Sequence, residues 1–288
     1  MGNDERQRLE SARRRALSPS LDQSEYVPTA PVVQTEFGSC SHTGPRRRVN
    51  EDHFLILRVG RNQDVIASSL AESDLPPHFE EYAYAMVVAD GSGDMGGGAL
   101  ASRIAISTLA HMAIRHGKWN VRLDHDSIAS INRQAELFHR HTERAVAQHR
   151  LSAPFLADIH ATLTATFSVG DTLFFAHAGD SRAYLVRDGA ATRLTRDHAE
   201  VPSEDGVPAL DVEHIRLFDN DVVVVCTNGL AGALSAEAIA EVLATPRGLN
   251  EQCRQLVEWA ERDGASDDMT VVACKYAIRP AGVVTKTV

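Results

Sequence analysis

Thr172–Val186 reads TLFFAHAGDSRAYLV, two apolar runs that meet at Gly179-Asp180-Ser181-Arg182. The runs Thr172–Ala178 and Ala183–Val186 have the composition of strands, and the first delivers an aspartate to its end. Four more segments repeat the arrangement: Asn50-Glu51-Asp52, Asp90-Gly91, Asn228-Gly229 and Asp267-Asp268. Each is an acidic or amide pair at the end of an apolar, strand-like run. Carboxylates far apart in sequence but able to converge at strand ends suit hard, oxygen-seeking cations such as Mg²⁺ or Mn²⁺. Of the five positions, only Asn228 carries no charge.

Working outward, strand signals also cover Val32–Phe37, Phe54–Val59, Tyr84–Ala89, Thr162–Val169, Ala191–Leu194, Val222–Cys226 and Thr270–Lys275. Gly170-Asp171 and Asp188-Gly189 are two-residue hairpin turns between neighbouring runs. Helical periodicity predicts helices over Ala99–His116, Asp126–His149, Ala236–Leu243 and Asn250–Arg262, with Asp126 and Ser235 as N-caps. Strands in hairpin-linked groups and helices in pairs give an α+β fold in which helices cover antiparallel sheets.

The chain has 288 residues, 43% of them hydrophobic, and a net charge of −10. That length fits one large domain or two small ones with ample core. The acidic balance excludes a general nucleic-acid binder, which would present a basic face. Cys40, Cys226, Cys253 and Cys274 show no CxxC spacing, so neither a zinc site nor a disulfide framework is expected, and a reducing cytoplasm fits. No apolar run has the length of a membrane span and no secretory signal core is present. Met1-Gly2 is not followed by a myristoylation signal, because Arg6 stands where Ser or Thr is needed. The expectation is a cytoplasmic monomer without nucleic-acid or membrane partners. Residues 1–31, with Arg13-Arg14-Arg15 and several prolines, form a flexible polar leader; 32–277 form the folded domain and 278–288 a C-terminal tail.

Small and apolar residues carry Asp90 to the turn Gly91-Ser92-Gly93, where the chain can approach a ligand and a carbonyl such as that of Gly91 can ligate a metal. The same Asp-Gly pair also reads as a plain turn between strand and helix. Gly96-Gly97-Gly98 ahead of a helix suggests phosphate cradling but lacks the spacing of a nucleotide loop. In Arg46-Arg47-Arg48-Val49-Asn50-Glu51-Asp52, arginine forks able to hold phosphate oxygens stand beside acids able to hold a metal; a surface charge run is the alternative.

In order and spacing these segments resemble the metal-dependent protein serine/threonine phosphatases, the PPM or type 2C family, over residues 32–277. Arg47 with Asn50-Glu51-Asp52, Asp90-Gly91 through Ala101-Ser102, Ala176–Leu185 with Leu194-Thr195-Arg196-Asp197-His198, Cys226–Leu230, and Gly264–Val272 are similar to its five motifs. The resemblance implies a four-layer αββα sandwich, two antiparallel β-sheets flanked by helices, with a binuclear metal site at one end. It implies that Asp90 bridges two Mn²⁺ or Mg²⁺ ions. Glu51 and the Gly91 carbonyl serve one ion; Asp267 and residue 228 serve the other. Asp52 acts through coordinated water, Asp180 favours a weaker third ion, and Arg47 holds the substrate phosphate. It implies hydrolysis of phosphoserine or phosphothreonine in proteins supplied by a Ser/Thr kinase pathway, by in-line attack of a metal-bridging hydroxide.

The chain departs from that pattern at Asn228, where the family has aspartate, and at Asp268, where it usually has asparagine. The exchange suggests that Asp268 restores charge toward the ions; a solvated loop residue is the alternative. Asn228 also raises a second reading, a catalytically impaired member that binds phosphoproteins or scaffolds signalling, and turnover of small phosphate esters is a third. Ser92 leaves no histidine at a position where some members carry one.

Overall fold

The computed structural model describes residues 32–71, Leu75, 79–116, 125–198 and 207–279. The leader, the C-terminal tail beyond Arg279 and Pro202 with its neighbours therefore lie outside the described residues, as does the Asp126 side chain expected to cap a helix.

Eleven strands and five helices occur among the described residues. The strands are β1 (Val32–His42), β2 (Asp52–Gln63), β3 (Phe79–Ser92), β4 (His160–Ala161), β5 (Leu163–Val169), β6 (Thr172–Ala178), β7 (Arg182–Arg187), β8 (Ala190–Arg193), β9 (Asp211–Arg216), β10 (Val222–Cys226) and β11 (Met269–Arg279). The helices are α1 (Gly97–His116), α2 (His125–Arg150), α3 (Asn228–Ala231), α4 (Ala236–Leu243) and α5 (Leu249–Arg262). One antiparallel sheet runs β1-β11-β10-β7-β8; the second runs β2-β3-β5-β6-β9, with β4 paired onto β3. The β1–β11 pairing extends from Val32 opposite Arg279 to His42 opposite Met269.

The sheets stack face to face and helices cover both outer faces, because the central strands are apolar on both sides. Along β10, Val223 and Val225 enter the core between the sheets, while Val222, Val224 and Cys226 lie under α3, α4 and α5. Along β3, Met86 and Val88 face the other sheet, and Val87 and Ala89 pack against α1. This alternation is the two-residue period of a strand with both faces buried. The expected αββα sandwich is thus observed. Ser235 Oγ accepts the Ala238 amide and caps α4 as expected. Asp188 and Gly189 both have positive φ, as a primed hairpin turn requires.

Three elements were not expected. β9 has only Val212 and Ile215 to mark it, both half-buried, and pairs on one side only with β6. β4 is two residues long, and α3 a single turn.

Candidate active site

Asp52 and Asp90 are register partners across β2 and β3, so their side chains share a face. Asp90 lies two and four residues beyond Val88 and Met86, which places it on the inter-sheet side of β3. By the same count Thr227 follows Val223 and Val225, and Thr270 precedes Val272. One end of the inter-sheet core is therefore closed by polar groups rather than apolar ones.

Their bonds interlock. Thr227 Oγ1 donates to Asp52 Oδ2 at 2.7 Å and accepts the Thr270 amide at 3.0 Å. Asn50 Oδ1 accepts the Asp52 amide at 3.0 Å. Thr162 lies across from Asp90, donating its amide to the Asp90 carbonyl at 2.8 Å and accepting the Asp90 amide on Oγ1 at 3.3 Å. Thr162 Oγ1 also bonds Ser181 Oγ at 3.0 Å, next to Asp180. Asn228 Nδ2 donates to Asp180 Oδ2 at 2.8 Å. Sequence reasoning missed Thr162, Thr227 and Thr270 as functional support. The available signal was a threonine at the tip of each apolar run.

Arg47 reaches into this cluster. Nε and Nη2 form a two-pronged contact with Asp267 at 2.6 and 3.0 Å, and Nη1 donates to Glu51 at 2.9 Å. These bonds hold the Asp267 carboxyl below its ordinary range, although burial opposes them, and raise Arg47 further. Glu51 is buried, and burial pushes its carboxyl up; Arg47 and the backbone N–H groups of Gly98 and Ala99 counter the shift. The first turn of α1 thus receives a protein carboxylate at the helix N-terminus. A Cβ at Gly98 would stand 2.7 Å from that carboxylate, so only glycine permits the approach.

Asp268 overturns the solvated-loop alternative. It is 3% exposed, so it is no solvated loop residue. Both its oxygens are engaged by backbone amides, Oδ1 accepting from Gly44 at 2.9 Å and Oδ2 from Glu51 at 2.7 Å, while its charge adds to the upward shifts of Glu51 and Asp52. It fastens the loop that carries Arg47 and Glu51.

The electrostatics are those of too many acids in one place. Burial raises Asp52 to about 7 and Asp90 to about 8, with Asp52, Asp180 and Asp267 adding to the shift at Asp90. Asp52 Oδ1 and Asp180 Oδ1 are buried without a hydrogen-bond partner. Orphaned, buried carboxylate oxygens fit hard divalent cations, and the surrounding ligand atoms on these acids are all oxygen. Among the described residues no three His, Cys, Asp or Glu side chains already converge on one point. Arg47 is hydrogen-bonded to Asp267 and Glu51, and Asn228 to Asp180.

Around this cluster the motif residues brace one another. Arg182 forms a two-pronged contact with Asp197 at 3.2 and 2.9 Å, and the His198 amide donates to the Gly179 carbonyl at 2.8 Å. Cys226 is fully buried and its thiol is pushed up to about 12, which rules it out as a nucleophile at neutral pH. Among the described residues, no helix is long and apolar enough to cross a membrane.

Residues 62–272 match the sequence family described as protein phosphatase 2C. The serine/threonine protein phosphatase PstP of Mycobacterium tuberculosis is 29% identical over 214 residues, covering 65% of this chain and 39% of that protein. The chain therefore spans about two fifths of that relative's length. The S. agalactiae serine/threonine phosphatase structure superposes with a TM-score of 0.66 at 22% identity, covering 84% of this chain and 99% of that one. The catalytic domain of PstP in complex with 2 manganese ions gives 0.64 at 25% identity, covering 85% and 100%.

Proposed function

The chain belongs to the protein phosphatase 2C family, and on that premise we propose that it hydrolyses phosphoserine and phosphothreonine in proteins with two Mn²⁺ or Mg²⁺ ions. The family is metal-dependent, and a solved relative carries two manganese ions. The observation that carries the reading is the pair of buried, partnerless oxygens on Asp52 and Asp180, in a cluster whose central acid, Asp90, is repelled by its neighbours.

Asp90 would bridge the ions, Glu51 and the Gly91 carbonyl would serve one, and Asp267 and Asn228 the other. Asp180 would favour a weaker third ion, and Asp52 would act through water. When bound, the cations supply an activated water and neutralise charge on the phosphoryl oxygens. Arg47 performs the binding step. Its planar fork, now paired with Asp267, matches two phosphoryl oxygens equally well. Thr227 and Thr270 hold the Asp52 carboxylate in one orientation, and Asp268 fixes the Arg47 loop, so the backbone stays in place while the Arg47 fork exchanges Asp267 for phosphate. The substrates are phosphoproteins made by a Ser/Thr kinase, and the enzyme works as a monomer. No observation favours the binding-only alternative raised by Asn228.

The test is phosphate release from a phosphothreonine peptide with Mn²⁺ or Mg²⁺, alongside Asp90→Ala. Metal-dependent turnover lost in the variant supports the reading; equal background in both proteins at millimolar Mn²⁺ overturns it.

A further inference from the structure

The turn that delivers Arg47 carries two more arginines. The Arg47 amide donates to the Gly44 carbonyl at 2.9 Å, so Pro45 and Arg46 form the tip of a turn whose first central position suits proline. Arg48 follows directly. Arg47 bonds Asp267 and Glu51. Arg46 and Arg48 are exposed, and among the described residues neither guanidinium has a hydrogen-bond or ion-pair partner. Acidic residues outnumber basic ones by 39 to 29 in this chain, yet these two cations at the mouth of the site are left unpaired.

A solvated charge run would need no anchoring, and this one is anchored at both ends. Asp268 accepts the Gly44 amide at one end and the Glu51 amide at the other. A Cβ on Gly44 would stand 2.3 Å from the Asp267 carbonyl, so the turn lies directly on the start of β11. Asn50 Nδ2 donates to Ser41 Oγ at 2.9 Å and ties the far end of the loop to β1. The backbone beneath Arg46 and Arg48 is therefore held in place before any partner arrives, which lowers the ordering cost of binding. Glu51 and Asp52 are buried, so the charge this loop shows to solvent is positive. The net charge of −10 acts at long range and is screened beyond about 8 Å at physiological salt; at contact the local arginines decide.

We propose that Arg46 and Arg48 select phosphoprotein substrates that carry Asp or Glu beside the phosphorylated residue, pairing with those carboxylates while Arg47 takes the phosphate. The planar guanidinium fork matches a carboxylate. Arg46 and Arg48 stand one residue to either side of Arg47, and neighbouring residues are about 3.8 Å apart in protein and peptide alike. A peptide whose phosphate lies in the Arg47 fork thus has its flanking side chains on the length scale of the two free arginines. The inference rests on the proposed phosphatase reading and deepens it by naming a class of substrate.

The experiment compares wild type with three double variants, Arg46→Ala/Arg48→Ala, Arg46→Glu/Arg48→Glu and Arg46→Lys/Arg48→Lys. Two phosphothreonine peptides are used with Mn²⁺, one flanked by aspartates and one by alanines, and kcat/KM is read for each. Wild type should favour the aspartate peptide about fivefold, the worth of two exposed ion pairs. The preference should vanish in the alanine variant, invert in the glutamate variant and survive in the lysine variant. It should also shrink as ionic strength rises from about 0.02 to about 0.5 M. A wild type without preference overturns the proposal. So does an alanine variant that loses activity equally on both peptides, since its ratio is then unchanged. A lysine variant that behaves like the alanine one overturns it as well.

Should wild type turn over neither peptide, the phosphatase reading falls, and anisotropy of labelled, non-hydrolysable phosphonate versions of both peptides decides the arginine contacts separately. They stand if wild type binds the aspartate peptide more tightly and the alanine variant does not, and fall if the two peptides bind alike.

Discussion

Asp268 accepts the backbone amide of Glu51 at 2.7 Å, a bond between residues 217 positions apart in the chain. Through it and the Gly44 amide, the start of β11 fixes the loop that carries Arg47. Removing the carboxylate would leave two amides buried without acceptors. Asp268→Ala should therefore cost about 3 kcal/mol, and Asp268→Asn, which keeps one acceptor, about 1–2 kcal/mol. Urea unfolding measures this. Mn²⁺ titration of Asp268→Asn should show a far smaller loss of affinity than Asp267→Asn. A loss as large as that of Asp267→Asn would return Asp268 to the metal site.

Asn228 donates to Asp180, so an aspartate there would replace a hydrogen bond with two like charges. Without metal, Asn228→Asp should lower the melting temperature. With metal, the added charge should tighten Mn²⁺ binding on the order of tenfold. Calorimetric titration that finds no tighter binding would remove residue 228 from the proposed ligands.

The raised carboxylates fix the sign of a pH effect. In the folded, metal-free protein Asp52 and Asp90 hold protons up to about 7 and about 8, whereas the unfolded chain releases them near 3.8. The stability they contribute is fully present below 3.8 and is lost as pH rises through 7 and 8. Melting temperature in chelator should accordingly fall between pH 6 and 9, and saturating Mn²⁺ should flatten that slope. A chelated protein whose melting temperature rises over this interval would contradict the assignment.

Three of the four thiols are buried and pushed up to about 12. Alkylation of the native protein at pH 8, followed by peptide mass mapping, should mark Cys40 and spare Cys226, Cys253 and Cys274. Turnover should survive the treatment. Inactivation that tracks modification of Cys226 would point to chemistry at that thiol.

The αββα architecture was legible because apolar runs buried on both faces leave an unmistakable pattern in β3, β10 and β11, and each site acid marks a run's end. β9 escaped notice for the opposite reason: Asp211–Arg216 is an edge strand with only two half-buried apolar residues. Residue types alone could nominate Asp268 and Gly96-Gly97-Gly98 but not their partners. A carboxylate that binds backbone amides looks the same in sequence as one that binds a cation. A glycine run that cradles Glu51 likewise looks like one that cradles phosphate. Those distinctions depend on contacts such as Asp268 to Gly44, made across more than two hundred residues.

Val32 and Arg279 face each other at one end of the β1–β11 pair, and His42 and Met269 face each other at the other. The second end adjoins the carboxylate cluster; the first lies ten residues of strand away, roughly 33 Å. Both attachment points of the fold thus share one corner, remote from the chemistry. A reporter or tether joined at either attachment point leaves the mouth of the site open. Linking the two points and cutting the chain at an exposed turn such as Asp188-Gly189 should give a rearranged polypeptide that reaches the same fold.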